Sequence, residues 1–214
     1  MANIGNIKVK GIKKDKPKLE NDGLKLPFYQ TKHSLKNLEN FNKFIKNIET
    51  QVRNSDRYSG YISHLKDLGF NYCQIHPNIQ STEKNKHVKI EMHHGPILTL
   101  YDICSIVTTA LIERGEPVTS FRVASIVLEE HEKQHIQTVN LCENCHRAVH
   151  SGNNVYINPK QAYGDISKFL EEWRDGIDED MEIIINKNLE MARKHNSSDT
   201  GVLDASTGTI WGDR

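Results

Sequence analysis

The sequence predicts a protein of the α+β class, in which two short strands are surrounded by helices. Apolar residues recur every three or four positions at 34–53 and 178–194, as they do along one face of a helix. Residues 87–93 alternate as a strand does, and residues 137–141 can form a second strand. All four cysteines and eight of the eleven histidines fall between positions 73 and 150, so the middle of the chain should carry the chemistry.

The chain divides by composition and periodicity into five predicted segments. They are a basic extended arm at 1–33, a helical segment at 34–69, a core at 70–160 with a helical insertion at 99–135, C-terminal helices at 161–195, and a polar tail at 196–214. The insertion would separate the two strands of the core, and a long connection between strands is tolerable because closure entropy grows slowly with length.

The first helix should begin at Ser34, a residue type that caps helix N-termini. Its apolar stripe suits packing onto the core or, in a homo-oligomer, onto helix 34–53 of a second copy. The stripe consists of Leu35, Leu38, Phe41, Ile45, Ile48 and Val52. In the insertion, Thr99 and Asp102 have the spacing of a capping box, and Thr119 or Ser120 should cap the next helix.

Charge is distributed unevenly along a chain whose formal net charge is zero. Residues 1–54 hold twelve Lys and Arg against five Asp and Glu, whereas residues 165–214 hold six against twelve. A basic front end can contact phosphates even in a neutral protein, so DNA is an expected partner. The residues expected to bind DNA are Lys8, Lys10, Lys13, Lys14, Lys16 and Lys18.

Targeting signals are not apparent in the sequence. No apolar run approaches the ~18 residues of a membrane-spanning helix, so no membrane partner is expected. The first residues also lack the apolar stretch of a secretory signal, which favours a cytoplasmic location. In a reducing compartment, clustered Cys and His residues indicate metal binding rather than disulfides.

The histidines of the core have the spacing of a metal site. On a helix, His146 and His150 stand four residues apart and share one face, so both can bind one cation. One histidine of the pair His93-His94 can supply a third nitrogen, which leaves the other as a base. Three nitrogens on one metal with an open position suit metal-assisted hydrolysis.

The run Met92-His93-His94-Gly95-Pro96 and the run Cys142-x-x-Cys145-His146-x-x-x-His150 resemble the HNH, or His-Me finger, endonucleases. The resemblance covers about 70–160, and Tyr163-Gly164-Asp165 is similar to bacteriophage-encoded members. It implies a ββα-metal finger and an enzyme that hydrolyses DNA phosphodiester bonds. By this resemblance, His94 is the general base, and His93, His146 and His150 hold one catalytic divalent cation, which is Mg, Mn or Zn.

The resemblance also implies an amide side chain that orients the base. Gln137 occupies the usual place of the family's Asn, nine residues before His146, while Asn140 lies three residues closer. Either amide is able to polarise His94, so both are candidate catalytic residues.

A second, structural metal site is expected beside the catalytic one. Relatives of this kind are often held together by two C-x-x-C knuckles, and Cys142-x-x-Cys145 matches the second of them. Cys73 and His76 stand where the first would be. Together these four side chains would form a closed tetrahedral site for one structural Zn ion.

Two alternatives stand beside the nuclease prediction. In the first, the protein is a non-catalytic or weakly catalytic phage component that uses this fold for binding, with a phage assembly or packaging partner and association with the virion. In the second, His131-Glu132-x-x-His135 matches the H-E-x-x-H signature of zinc metallopeptidases. The polar pair Lys133-Gln134 inside that match favours a solvated helix end instead.

Overall fold

The computed structural model describes residues 34–81, 88–151 and 157–196. Within them it has seven α-helices and one antiparallel sheet of two strands, which confirms the α+β class. The elements are α1 (Leu38–Arg53), α2 (Asp56–Asp67), β1 (Ile90–His94), α3 (Leu100–Glu113), α4 (Ser120–Glu132), β2 (Thr138–Cys142), α5 (Glu143–His150), α6 (Ile166–Glu172) and α7 (Glu179–Asn196). The predicted basic arm, with its six lysines, and residues 197–214 of the polar tail lie outside the described residues.

Helix α1 begins later than predicted and packs inside its own chain. Its N-cap is Asn37, whose side chain accepts a hydrogen bond from the Asn40 backbone at 3.1 Å, while residues 34–36 form a 3-10 turn. The stripe of α1 packs against α3 and α4, with Ile45 and Ile48 fully buried. The core of the same chain covers most of this stripe but leaves Leu38 73% exposed, so a homo-oligomer contact through helix 34–53 stays a prediction.

The two helices of the insertion begin at local capping signals. Thr99 accepts a hydrogen bond from the Asp102 backbone, and the Asp102 carboxylate accepts one from the Thr99 backbone at 2.8 Å. This reciprocal pair confirms the predicted capping box of α3. Helix α4 is capped by Thr119, while Ser120 is fully buried and accepts a hydrogen bond from Gln51 of α1 at 2.8 Å.

The sheet brings distant parts of the sequence together. Strands β1 and β2 pair with His93 opposite Val139 and His94 opposite Thr138, and α3 and α4 lie between them in the chain. Helix α5 starts directly after β2, at Glu143. The strand that carries the histidine pair therefore lies against the helix that carries His146 and His150, although His93 and His146 are 53 positions apart in the sequence.

The described residues form two main apolar clusters. The larger one is built from the helices, and the smaller one lies at the sheet and α5. The smaller cluster contains Cys73, Val139, Leu141, Cys142, Cys145 and Ile157. We call the smaller cluster, together with β1, β2, α5 and the loop at 73–80, the metal module.

Candidate metal centres

The four residues expected to hold zinc converge in the structure. The ligand atoms of Cys73, His76, Cys142 and Cys145 all lie within 4.8 Å of one another, and the three cysteines are buried. His76 Nδ1 lies 3.1 Å from Cys145 Sγ. A tetrahedral zinc ion separates its ligand atoms by about 3.3 Å for two nitrogens and about 3.8 Å for two sulfurs. The donor set and its spacing therefore fit one closed zinc site, which we call the cysteine cluster.

Gln74 fixes the first half of the cysteine cluster against the sheet. Its backbone donates to the Asn140 carbonyl at 2.8 Å, and its side-chain carbonyl accepts from the Asn140 backbone at 2.6 Å. Its side-chain amide donates to the Gln161 backbone carbonyl, and the Gln161 side-chain amide donates to the Gln74 backbone carbonyl at 2.8 Å. Because these bonds tie the loop to β2, Cys73 is held beside Cys142.

Three histidines of β1 and α5 form a second cluster. The ligand nitrogens of His93, His146 and His150 lie within 4.8 Å of one another, and the Nε2 atoms of His146 and His150 are 3.1 Å apart. Burial, together with the charges of His150 and His146, lowers the pKa of His93 to about 4. His93 is therefore neutral at neutral pH, which is the form that binds a metal. We call this set the histidine cluster.

Glu91 orients one member of the histidine cluster. His146 Nδ1 donates a hydrogen bond to Glu91 Oε2 at 2.6 Å, so the Nε2 lone pair of His146 faces the centre of the cluster. A carboxylate behind a metal-binding histidine fixes its tautomer and raises its basicity. Glu91 and His93 stand two residues apart on β1 and share one face of the strand.

His94 has a different environment from the one predicted for a general base. It is 5% exposed, and its Nε2 lies 2.8 Å from Nε2 of His131 on α4. His131 Nδ1 donates to the Val127 carbonyl at 2.6 Å, so His131 Nε2 accepts and His94 donates. Burial lowers the pKa of His131 to about 4, and burial and His131 hold the pKa of His94 well below its usual range. The two rings therefore form a neutral, buried pair.

Neither predicted amide forms a hydrogen bond with His94 in the part of the chain that the structure describes. Asn140 donates its side-chain amide to the Phe70 carbonyl. The Gln137 amide is buried without a hydrogen-bond partner among the described residues, while the Gln137 backbone carbonyl accepts from Gly95 at 3.2 Å. The group that holds His94 is His131, which the sequence assigned to the competing motif.

The side chains of that H-E-x-x-H motif do not face one site. His131 pairs with His94, His135 donates to Glu130 at 2.8 Å, and Glu132 forms an ion pair with Arg57 at 2.7 Å. A zinc peptidase needs both histidines on one ion with the glutamate beside it. The geometry therefore gives the metallopeptidase prediction no support.

A cleft of about 390 Å³ adjoins the histidine cluster. Its wall contains His93 and His94, the segment that follows β1, and residues of α5 and α7. The side chain of Asn188 on α7 donates to the Ile97 carbonyl at 2.8 Å, which fixes α7 against this segment. Of the histidine cluster, His93 lines this cleft.

The fold and the two clusters define a small α+β protein with two candidate metal centres in its metal module. The family model of the Bacteriophage G278-like virion protein matches residues 2–210, and the chain belongs to this family. The comparisons with curated proteins and with solved structures find no match. Membership in a virion protein family points to association with the phage particle and to a phage assembly partner.

The family assignment corrects the prediction that the chain is a member of the HNH endonucleases, which is wrong. The residues behind that prediction, a histidine pair and a C-x-x-C-H-x-x-x-H run, describe how metal ligands are spaced. Unrelated proteins reach the same spacing by convergence, so it does not identify a lineage. Among the described helices, none is long and apolar enough to cross a membrane.

Proposed function

We propose that the protein is a non-catalytic structural or packaging component of the phage particle, and that one zinc ion holds its metal module together. The convergence of Cys73, His76, Cys142 and Cys145 carries this proposal. The family assignment supports the virion role, and the donor set supports zinc, since three thiolates and one imidazole form a typical closed structural site.

Zinc would replace the apolar area that the metal module lacks. Six of the described residues form its buried apolar cluster, which is few for an independently stable unit. Cys73 and His76 lie on the loop, and Cys142 and Cys145 lie at the junction of β2 and α5. One ion bound to all four side chains would therefore link the loop, the end of β2 and the start of α5 in the folded state.

The histidine cluster would bind a second divalent ion that exchanges more readily. Three neutral nitrogens leave at least one coordination position open, and His150 is exposed. Imidazole ligands suit zinc and other borderline ions better than magnesium.

Zinc analysis of the purified chain tests the structural centre. We expect one zinc per chain to survive dialysis, and Cys145→Ala to lose it. Cys104→Ala is the matched control, because Cys104 is equally buried but lies in the main helical core. Zinc loss in the control, or none in Cys145→Ala, would refute the assignment.

Mass spectrometry of purified phage particles tests the virion role. The wild-type chain should be present in the particles, and particles assembled with Cys145→Ala should contain less of it. Absence of the wild-type chain from intact particles would contradict the proposal.

A second candidate function is metal-dependent hydrolysis of phosphodiester bonds at the histidine cluster. The cleft that His93 lines favours it, because a substrate could reach an ion held there. The burial of His94, which is 5% exposed, disfavours it, since a base must come within hydrogen-bond reach of the reacting water. Plasmid incubated with the purified chain and Mn²⁺ should be nicked if this candidate is correct, and His150→Ala should abolish the nicking.

A further inference from the structure

We infer that the cleft beside the histidine cluster binds a carboxylate carried on a small apolar group. The inference rests on the proposed ion at the histidine cluster and adds the chemical class of the ligand that completes it. Three features of the cleft support it: its charge, its apolar walls and its size.

The charge of the cleft favours an anion. Among the thirteen described residues that line it there is one lysine, Lys187 of α7, and no Asp or Glu. Three imidazoles are neutral ligands, so a divalent ion on His93, His146 and His150 would keep its full charge. Glu91, in contact with His146, would offset one unit, and Lys187 would add one back. An oxygen anion on the open coordination position would reduce this positive charge.

The walls of the cleft favour a ligand with an apolar body. Six of the lining residues carry sizeable apolar side chains: Pro96, Ile97, Leu98, Val149, Ile157 and Met191. Nucleic acid is a poor match, because several lysines and arginines normally contact successive phosphates and this cleft offers Lys187 alone. A volume of about 390 Å³ is at the small end of ligand pockets and suits a group the size of one or two side chains.

In a phage particle, this chemistry is presented by an acidic side chain with apolar neighbours on another polypeptide. The carboxylate would place one oxygen on the ion and the other towards Lys187, and the apolar part would lie against Ile97 and Ile157. This arrangement would make the ion a link between two virion chains.

Calorimetry with isovalerate, a branched carboxylate, tests the inference. The full chain is loaded with one equivalent of Zn²⁺ and then one of Co²⁺, whose visible spectrum reports ligand exchange. We expect isovalerate to bind and change the cobalt spectrum, and inorganic phosphate to bind at least tenfold more weakly. Lys187→Gln should lower the affinity for isovalerate about tenfold without changing the affinity for cobalt. The control is Lys66→Gln, an exposed substitution on α2 outside the cleft, which should change neither affinity.

The outcomes separate this inference from the function on which it rests. If cobalt binds but isovalerate does not, or if Lys187→Gln binds it as tightly as the wild type, the carboxylate site is overturned while the metal centre stands. Tighter binding of phosphate than of isovalerate also overturns it. Failure of the wild-type chain to bind the second metal ion would remove the histidine centre itself, and the ligand site with it.

Discussion

Glu91 illustrates how one carboxylate can set the properties of a candidate metal centre. It accepts the hydrogen bond from His146 Nδ1 at 2.6 Å and so directs Nε2 towards the cluster. We expect Glu91→Gln to lower the divalent-metal affinity of the histidine cluster 10- to 100-fold, about the usual cost of losing such a partner. Competition with a chromophoric chelator measures this affinity. Glu171→Gln, an exposed substitution on α6, is the control, and an equal affinity in both variants would rule out the role of Glu91.

The buried pair of His94 and His131 should make stability depend on pH. Folding lowers the pKa of His131 from its ordinary value of 6.5 to about 4, because burial opposes the charged form. The unfolded chain therefore binds more protons between these values, and the free energy of unfolding falls as the pH drops from 6.5 to about 4. For a fully buried group the loss approaches about 3 kcal/mol.

Denaturant unfolding at several pH values measures this dependence. His131→Gln keeps hydrogen-bonding groups but does not titrate, so its unfolding free energy should fall less steeply over the same range. His64→Gln, at an exposed position of α2, should follow the wild type. If the unfolding free energy of His131→Gln falls with pH as steeply as that of the wild type, other groups cause the acid sensitivity.

Local periodicity could have identified Glu91, but not the partner of His94. Glu91 and His93 share a strand face, so the alternation that predicted β1 also places this carboxylate on the metal side. His131 reaches His94 because α4 packs next to the strand, and His131 lies 37 residues further along the chain. That contact depends on tertiary packing, which no local pattern encodes. Spacing alone indicates the amides of Gln137 and Asn140, and neither forms a hydrogen bond with His94 among the described residues.

The segment before α6 depends on a glycine that permits close backbone contact. Gly164 has φ +110°, and a Cβ at this position would lie 2.2 Å from the Ile136 carbonyl oxygen. We expect Gly164→Ala to lower the unfolding free energy by at least about 2 kcal/mol, because clash and backbone strain add. Gly60→Ala is the matched control: a Cβ there meets nothing within 4 Å, and alanine in the α2 interior should stabilise by up to about 1 kcal/mol. Thermal unfolding measures the change in stability of both variants. Equal changes in Gly164→Ala and Gly60→Ala would contradict the steric argument.

Helix starts were predictable where one residue dominates the cap. The reciprocal bonds of Thr99 and Asp102 fixed the start of α3 as the sequence indicated. Two strong capping residues, Ser34 and Asn37, compete before α1, and the structure uses Asn37. Helix α2 starts at Asp56, where the side chain of Ser55 caps it by accepting a hydrogen bond from the Tyr58 backbone. Where two capping residues lie this close together, residue type alone does not decide between them.

At the scale of the whole molecule, the sequence predicted which Cys and His side chains converge better than it predicted the family. The positions of Cys and His residues predicted both clusters, because metal chemistry restricts which side chains and spacings can bind one ion. The same restriction makes the pattern common to unrelated proteins, which explains why it suggested an endonuclease for a chain of the Bacteriophage G278-like virion protein family.

The separation into two apolar clusters predicts that metal removal acts on one part of the protein. Among the described residues, six form the cluster of the metal module, and twenty-six form the helical core. If zinc supplies the missing stability, a chelator should raise hydrogen exchange at least tenfold at 73–79 and 138–150 and leave α3 unchanged. Hydrogen-exchange mass spectrometry resolves these segments. Cys145→Ala, without the site, should exchange rapidly there with or without chelator. An equal response in α3 would show that both clusters unfold together, and no response anywhere would show that zinc does not stabilise the module.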